Sequence, residues 1–199
     1  RGFENREGLE IVRGDIRDID SCHSLAPDVT HVFHLAALIS VPYSYVSPDA
    51  NISANAIGTL NLLQSFRNSS LENFVMMSTS EVYGGTDGKP LKEDIALNPK
   101  SPYAASKASA EMICNAFKAS YAMPITVART FNTYGPRQST RAVIPVIIKQ
   151  ALEKRGEVKL GALDPKRDLV FVKDTAQALI ELASNENVIG NTVNIGTGK

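Results

Sequence analysis

Short apolar runs alternate along this chain with longer stretches in which apolar positions recur at helical spacing, the rhythm of a parallel sheet with crossover helices. The runs predict strands at Glu10–Arg13, Val29–His34, Asn73–Ser78, Ile125–Thr130, Glu157–Leu160, Leu169–Phe171 and Thr192–Ile195, most of them bounded by Gly, Pro, Asn or Asp. Helices fill the gaps. Pro48 and Asp49 open one that runs to about Asn68, and Ser101 with Pro102 gives a hydroxyl cap and a first-turn proline for another reaching about Tyr121. A third is predicted over Arg141–Lys154, and a fourth over Thr175–Ser184 capped by Asp174. Gly58 costs the first helix some propensity and suits a close packing contact. The pattern predicts an α/β fold with a parallel sheet.

Composition narrows the function classes. With 199 residues, 43% hydrophobic and 21% charged, the chain has ample material for one sizeable core. Twenty-one basic residues balance 21 acidic ones, so no broad electrostatic case exists for a nucleic-acid or membrane partner. Cys22 and Cys114 lie far apart and in no metal-type spacing, which predicts reduced, partly buried thiols and fits a cytoplasmic setting. No apolar run reaches the roughly 18 residues of a membrane span, and Arg1 to Glu10 are too polar for a signal segment.

In open parallel sheets ligands bind beyond the carboxyl ends of the strands, and three such ends here carry chemistry. Val29–His34 runs into Leu35, Ala36 and Ala37, whose small side chains let a flat ligand approach the backbone. Asn73–Ser78 runs into Thr79, Ser80 and Glu81, and Ile125–Thr130 into the segment from Phe131 to Arg137. Tyr103 and Lys107 stand one helical turn apart. A phenol has a free pKa of about 10, and an ammonium group at i+4 is placed to draw it down. Phenol, amine, hydroxyl and carboxylate together describe redox chemistry on a hydroxyl-bearing substrate. His34 reads as a strand-end core histidine, since no second metal ligand is suitably spaced, and no metal site is predicted. Missing is a glycine-rich turn after an early strand to seat a dinucleotide pyrophosphate. A fragment is therefore expected, with that unit upstream of Arg1 and an abrupt end at Lys199.

From Gly14–Asp18 to Asn194–Gly198 the chain resembles the extended short-chain dehydrogenases that act on nucleotide sugars, the NAD-dependent epimerase/dehydratase family. The stations are His34 to Ala37, Asn55 to Thr59, Ser78 to Gly84, Tyr103 with Lys107, Arg129 to Arg137, and Arg167 and Asp168 with Val172 and Asp174. Leu38 to Tyr45 and Arg137 to Pro145 resemble the 4,6-dehydratases of legionaminic acid biosynthesis. The resemblance implies a Rossmann-like doubly wound sheet, truncated at both ends: a partial NAD-binding domain over 1–135 and, over 136–199, a mixed segment that begins a substrate region and returns to the sheet.

It also implies roles. Tyr103 would take the proton of the sugar C4 hydroxyl as hydride passes to NAD, Thr79 would bind the C4 oxygen, and Lys107 would hold the nicotinamide ribose. Glu81 would remove the C5 proton. Ser80 stands where many such dehydratases carry Asp as the acid for the departing C6 hydroxyl, so that proton would come through Glu81 or water. Asp15 and Ile16 would face adenine, and Leu35, Ala36 and Ala37 would line the dinucleotide. Asn132 and Arg167 would contact the substrate, with Arg141 and Val143 bordering its nucleotide. An N-acetylglucosamine nucleotide and a homodimer are implied. Uronate decarboxylation, 4-epimerisation and a non-catalytic dinucleotide sensor remain open.

Overall fold

The computed structural model describes residues 7–85, 88–153, 156–161 and 166–198. Four parallel strands form its centre: β1 (His31–His34), β2 (Asn73–Thr79), β3 (Ile125–Thr130) and β6 (Thr192–Ile195), in the order β1-β2-β3-β6. Two more, β4 (Asn132–Tyr134) and β5 (Leu169–Phe171), pair in parallel as a small separate sheet. β2 and β3 are covered on both faces, as parallel strands between helices must be, and their residues are almost wholly buried.

The helices are α1 (Ile19–His23), α2 (Val41–Val46), α3 (Pro48–Ile52), α4 (Gly58–Phe66), α5 (Pro102–Tyr121), α6 (Val143–Leu152) and α7 (Val172–Ser184). A five-residue π turn, Ser53–Ile57, joins α3 to α4, so the predicted helix from Pro48 is one continuous element. Ser101 accepts a hydrogen bond from the Ala104 amide, and Pro102 sits in the first turn of α5 as expected. One core lies between the sheet and α4 and α5, with Leu63, Phe66, Phe74, Met76, Cys114 and Ile125 at its heart. A second packs α7 on the other face, through Val75, Ala128, Leu179 and Ile195. Both cysteines are free and buried. At Gly58 a Cβ would meet Ile16 Cδ1 at 2.5 Å, which explains the glycine.

Several expectations are corrected. Glu10–Arg13 forms no strand: Ile11 and Val12 lie exposed, with no neighbouring strand among the described residues to complete a ladder. Glu157–Leu160 forms none either, because the Gln150 amide takes both the N–H and the C=O of Lys159. The third helix starts at Val143 rather than Arg141, since Ser139 ties the preceding residues into a turn, and it ends at Leu152, with Lys154 outside the described residues. Asp174 is not a cap. α7 begins at Val172, straight from β5, and Asp174 lies in its first turn, where an acid suits the helix dipole. The short helices α1 and α2, and the three-residue β4, were not predicted.

Candidate active site

The carboxyl ends of β1, β2 and β3 open on the same side, as parallel strands require, and α5 crosses there. β2 ends at Thr79, whose side chain caps a 3-10 turn, Ser80–Tyr83. Thr79 Oγ1 accepts the Glu81 amide at 3.2 Å, which leaves the hydroxyl proton free to be donated. That hydroxyl and the Glu81 charge both lie near enough to act on the Tyr103 phenol. Gly84 closes the turn with φ near 70°, and a Cβ there would sit 1.8 Å from the Asn98 carbonyl.

The structure therefore brings Thr79, Glu81 and Tyr103 together, with Lys107 one turn further along α5. It corrects one electrostatic expectation. Burial raises the Tyr103 pKa; the nearby Thr79 hydroxyl works against that rise, the Glu81 charge adds to it, and Lys107 contributes nothing resolvable. The phenol is thus neutral at rest. Lys107 is 3% exposed, and burial brings its pKa down to about 8. No hydrogen bond to another described residue satisfies its amine.

Asn55 is a junction that sequence reasoning passed over. Its side chain accepts from the Leu38 amide and donates to the Leu38 carbonyl and to Ser106 Oγ, at 2.8, 3.0 and 2.8 Å. It thereby rivets the segment after β1 to α5, between Tyr103 and Lys107. The signal was available: Asn51, Asn55 and Thr59 recur every fourth residue, all buried, on one face of a helix. Thr59 donates to the Asn55 carbonyl, so His34 Nε2 must be the donor in its own bond to Thr59 Oγ1. Burial, then the nearby Lys107 charge, lowers the His34 pKa to about 3. His34 is a neutral core histidine, as its sequence position suggested.

The remaining candidates sit around this centre. Leu35 and Ala36 are exposed beyond β1, with Ala37 half-buried. Asp15 pairs with Arg17 at 2.5 Å on the surface, and Ile16 packs its side chain on the core. The Arg17 hydrogen bonds hold the Asp15 carboxyl down at about 2. Pairing of β4 with β5 brings two substrate candidates close: the Asn132 amide donates to the Asp168 carbonyl, next to Arg167. The Asp168 carboxylate accepts from Thr197 N, Thr197 Oγ1 and Gly198 N, leaving Arg167 exposed with, among the described residues, only the Lys166 carbonyl as partner. Arg141 and Val143 are exposed at the start of α6. Ser80 is half-buried in the turn beside Glu81.

Residues 2–199 match the family described as GDP-mannose 4,6-dehydratase. The chain belongs to this family of NAD-dependent epimerases and dehydratases. It is 38% identical to dTDP-glucose 4,6-dehydratase 1 of Escherichia coli, over 96% of this chain and 61% of the relative. Its fold matches the dTDP-glucose 4,6-dehydratase DesIV of Streptomyces venezuelae, solved with NAD bound, at a TM-score of 0.92 and 29% identity, covering 99% of this chain and 61% of that one. It matches the UDP-N-acetylglucosamine 4-epimerase of Methanobrevibacter ruminantium at 0.91 and 36% identity, covering 98% and 63%. The chain thus spans about 60% of these relatives. Dehydratases and epimerases resemble it equally. Among the described residues no group of side chains fits a metal ion, and no helix is long and apolar enough to cross a membrane.

Proposed function

We propose that the whole protein is an NAD-dependent nucleotide-sugar 4,6-dehydratase. The observation that carries this reading is the Glu81 carboxylate beside Tyr103 and Thr79. An enzyme that only oxidises and re-reduces C4 needs the phenol and the hydroxyl but has no task for that carboxylate; an enzyme that eliminates water across C5 and C6 needs a base there.

NAD fits the chain's own features: a buried amine at Lys107 with no hydrogen-bond partner among the described residues, and mostly small residues beyond a strand end, Leu35 and Ala36 exposed and Ala37 half-buried. When bound, NAD supplies a hydride acceptor and later a donor. Lys107 would hold its nicotinamide ribose, with Asp15 and Ile16 toward adenine. Tyr103 takes the C4 hydroxyl proton as general base, its pKa brought into range by the occupied site. Thr79 donates to the C4 oxygen. The resulting ketone acidifies C5–H, Glu81 removes that proton, the C6 hydroxyl leaves as water, protonated through Glu81 or a water, and return of the hydride to C6 with a proton to C5 would complete the 4-keto-6-deoxy sugar.

Arg167 and Asn132 suit a nucleotide diphosphate, which a planar guanidinium grips through paired oxygens, and Arg141 and Val143 would border the nucleotide. The stretches Leu38–Tyr45 and Arg137–Pro145 support an N-acetylglucosamine nucleotide, as in legionaminic acid biosynthesis. Residues 1–135 would form a partial NAD-binding domain, and 136–199 would contribute to the substrate region and return to the sheet. Ile52, Ile57 and Met112 leave apolar surface exposed on the α3–α4 segment and α5, which a second copy would cover in a cytoplasmic homodimer.

Mass spectrometry of the full-length enzyme with NAD and UDP- or GDP-N-acetylglucosamine tests the reading. Loss of about 18 Da, one water, supports it. An unchanged mass with altered C4 stereochemistry would replace it with epimerisation, and carbon dioxide loss from UDP-glucuronate with decarboxylation.

A further inference from the structure

Arg129 is a charged residue inside a strand that is buried throughout. Its guanidinium reaches three different elements. Nε and Nη2 grip both carboxylate oxygens of Glu111, at 3.1, 3.2 and 2.7 Å, one turn beyond Lys107 on α5. Nη1 donates to the Tyr83 hydroxyl at 2.8 Å and to the Glu93 carbonyl at 3.2 Å. Tyr83 is the last residue of the turn that carries Glu81, is 1% exposed, and lies with its ring 4.7 Å from the guanidinium carbon. Its own proton goes to Asn194 Oδ1 at 2.8 Å, at the end of β6. Ser78, the residue before Thr79, donates to the same Glu111 carboxylate.

The groups that would touch substrate are thus tied together from behind: Glu111 holds the Tyr103–Lys107 helix and the β2 end, while Tyr83 holds the turn. Tyr83 and Arg129 are both buried. We propose that Tyr83, clamped by Arg129 and Asn194, is a positioning residue that sets where the Glu81 carboxylate stands relative to the carbon it deprotonates. This rests on the dehydratase reading for the chemical role of Glu81; the mechanical claim about the turn does not.

Tyr83→Phe separates the two. It keeps the ring in place, and Arg129 Nη1 keeps the Glu93 carbonyl as acceptor, so the fold is retained. In single turnover, C4 oxidation, followed at 340 nm as NADH absorbance, is expected to proceed at the wild-type rate. Water elimination should slow about 10- to 100-fold with KM unchanged, the scale of a small misplacement of a reacting group. In a Glu81→Gln background, Tyr83→Phe should cost nothing further, since both changes act on one group. Amide exchange at Glu81 and Gly84, read by mass spectrometry, should accelerate in Tyr83→Phe while that of β3 does not.

Equal losses in both backgrounds, or a loss in C4 oxidation as large as in elimination, would overturn the positioning role in favour of a general structural one. Unchanged elimination or unchanged exchange would overturn it outright. If the wild type proves to be an epimerase, the dehydratase reading fails through product identity alone, and the exchange measurement still decides whether Tyr83 holds the turn.

Discussion

Two ion pairs mark the difference between the centre of this site and its rim. Arg129 and Glu111 meet with side-chain exposures of 7% and 1%, Arg17 and Asp15 with 53% and 47%. The rim contact is the shorter, 2.5 Å against 2.7 Å, yet water and salt screen it, so it contributes little to stability. The central pair cannot be solvated if broken, so each partner enforces the other. The same division runs through the candidate residues: Thr79, Tyr103 and Lys107 are buried and fixed by helix and strand, whereas Asp15, Asn132, Arg141, Val143 and Arg167 are exposed. The candidates for chemistry are held in the interior, while the candidates for recognition stand at the surface, free to vary. Dehydratases and epimerases of different nucleotide sugars can therefore share this fold at similar identity.

Breaking the centre should give the largest effects. Tyr103→Phe removes the proton acceptor while its ring still fills the pocket, so kcat for C4 oxidation should fall by roughly 10²- to 10⁴-fold with the melting temperature unchanged; a stopped-flow NADH trace reads this directly. Glu111→Ala strands the Arg129 charge in the interior and should destabilise the protein by about 3–5 kcal/mol in a urea titration. A loss of only a few tenths would mean that the centre behaves like the rim, and the comparison would fail.

Lys107 sharpens the contrast, because burial there works against stability. Its folded pKa, about 8, lies below the ordinary 10.5. Below pH 8 the amine is charged in both states and the burial penalty is fully present. As pH rises from 8 toward 10.5 the folded protein gives up that proton before the unfolded chain does, so the penalty fades and stability rises. Lys107→Met should therefore stabilise the cofactor-free protein by roughly 3 kcal/mol at pH 7 and flatten its stability between pH 8 and 10.5. Activity should be lost, because the group that would hold the nicotinamide ribose is gone. Chemical denaturation at pH 7 and pH 10 would check both signs.

Legibility in the sequence follows the same division, for physical reasons. β2 and β3 were readable because strands covered on both faces are continuous apolar runs, and α5 because Ser101 and Pro102 announce its start. Glu10–Arg13 has strand composition but no partner, and a strand is a property of a pair. Thr79, Glu81, Tyr103 and Lys107 were legible because strand ends and helical spacing bring them together locally. Asn55, Glu111, Arg129 and Tyr83 act across elements and appeared only as parts of a motif or not at all. An arginine in the apolar run Ile125–Thr130 and polar residues every fourth position from Asn51 were the available hints, since a buried polar group must find a partner.

The smallest effect is expected at the rim. Arg167 is exposed and, among the described residues, bonded only to the adjacent Lys166 carbonyl, so Arg167→Ala should leave the melting temperature unchanged. If its guanidinium grips the diphosphate, the interaction is the same in the ground and transition states. KM should then rise about tenfold, the scale of one charge-assisted hydrogen bond, with kcat at saturation preserved. Lysine at this position should recover only part of the loss, because an ammonium group offers a charge without the paired donors of the fork. A fall in kcat, or in stability, would place Arg167 with the central residues and show that the rim is mechanically coupled to the chemistry. An unchanged KM would mean that the nucleotide is held elsewhere, and Asn132, brought beside it by the pairing of β4 with β5, would be the next residue to test.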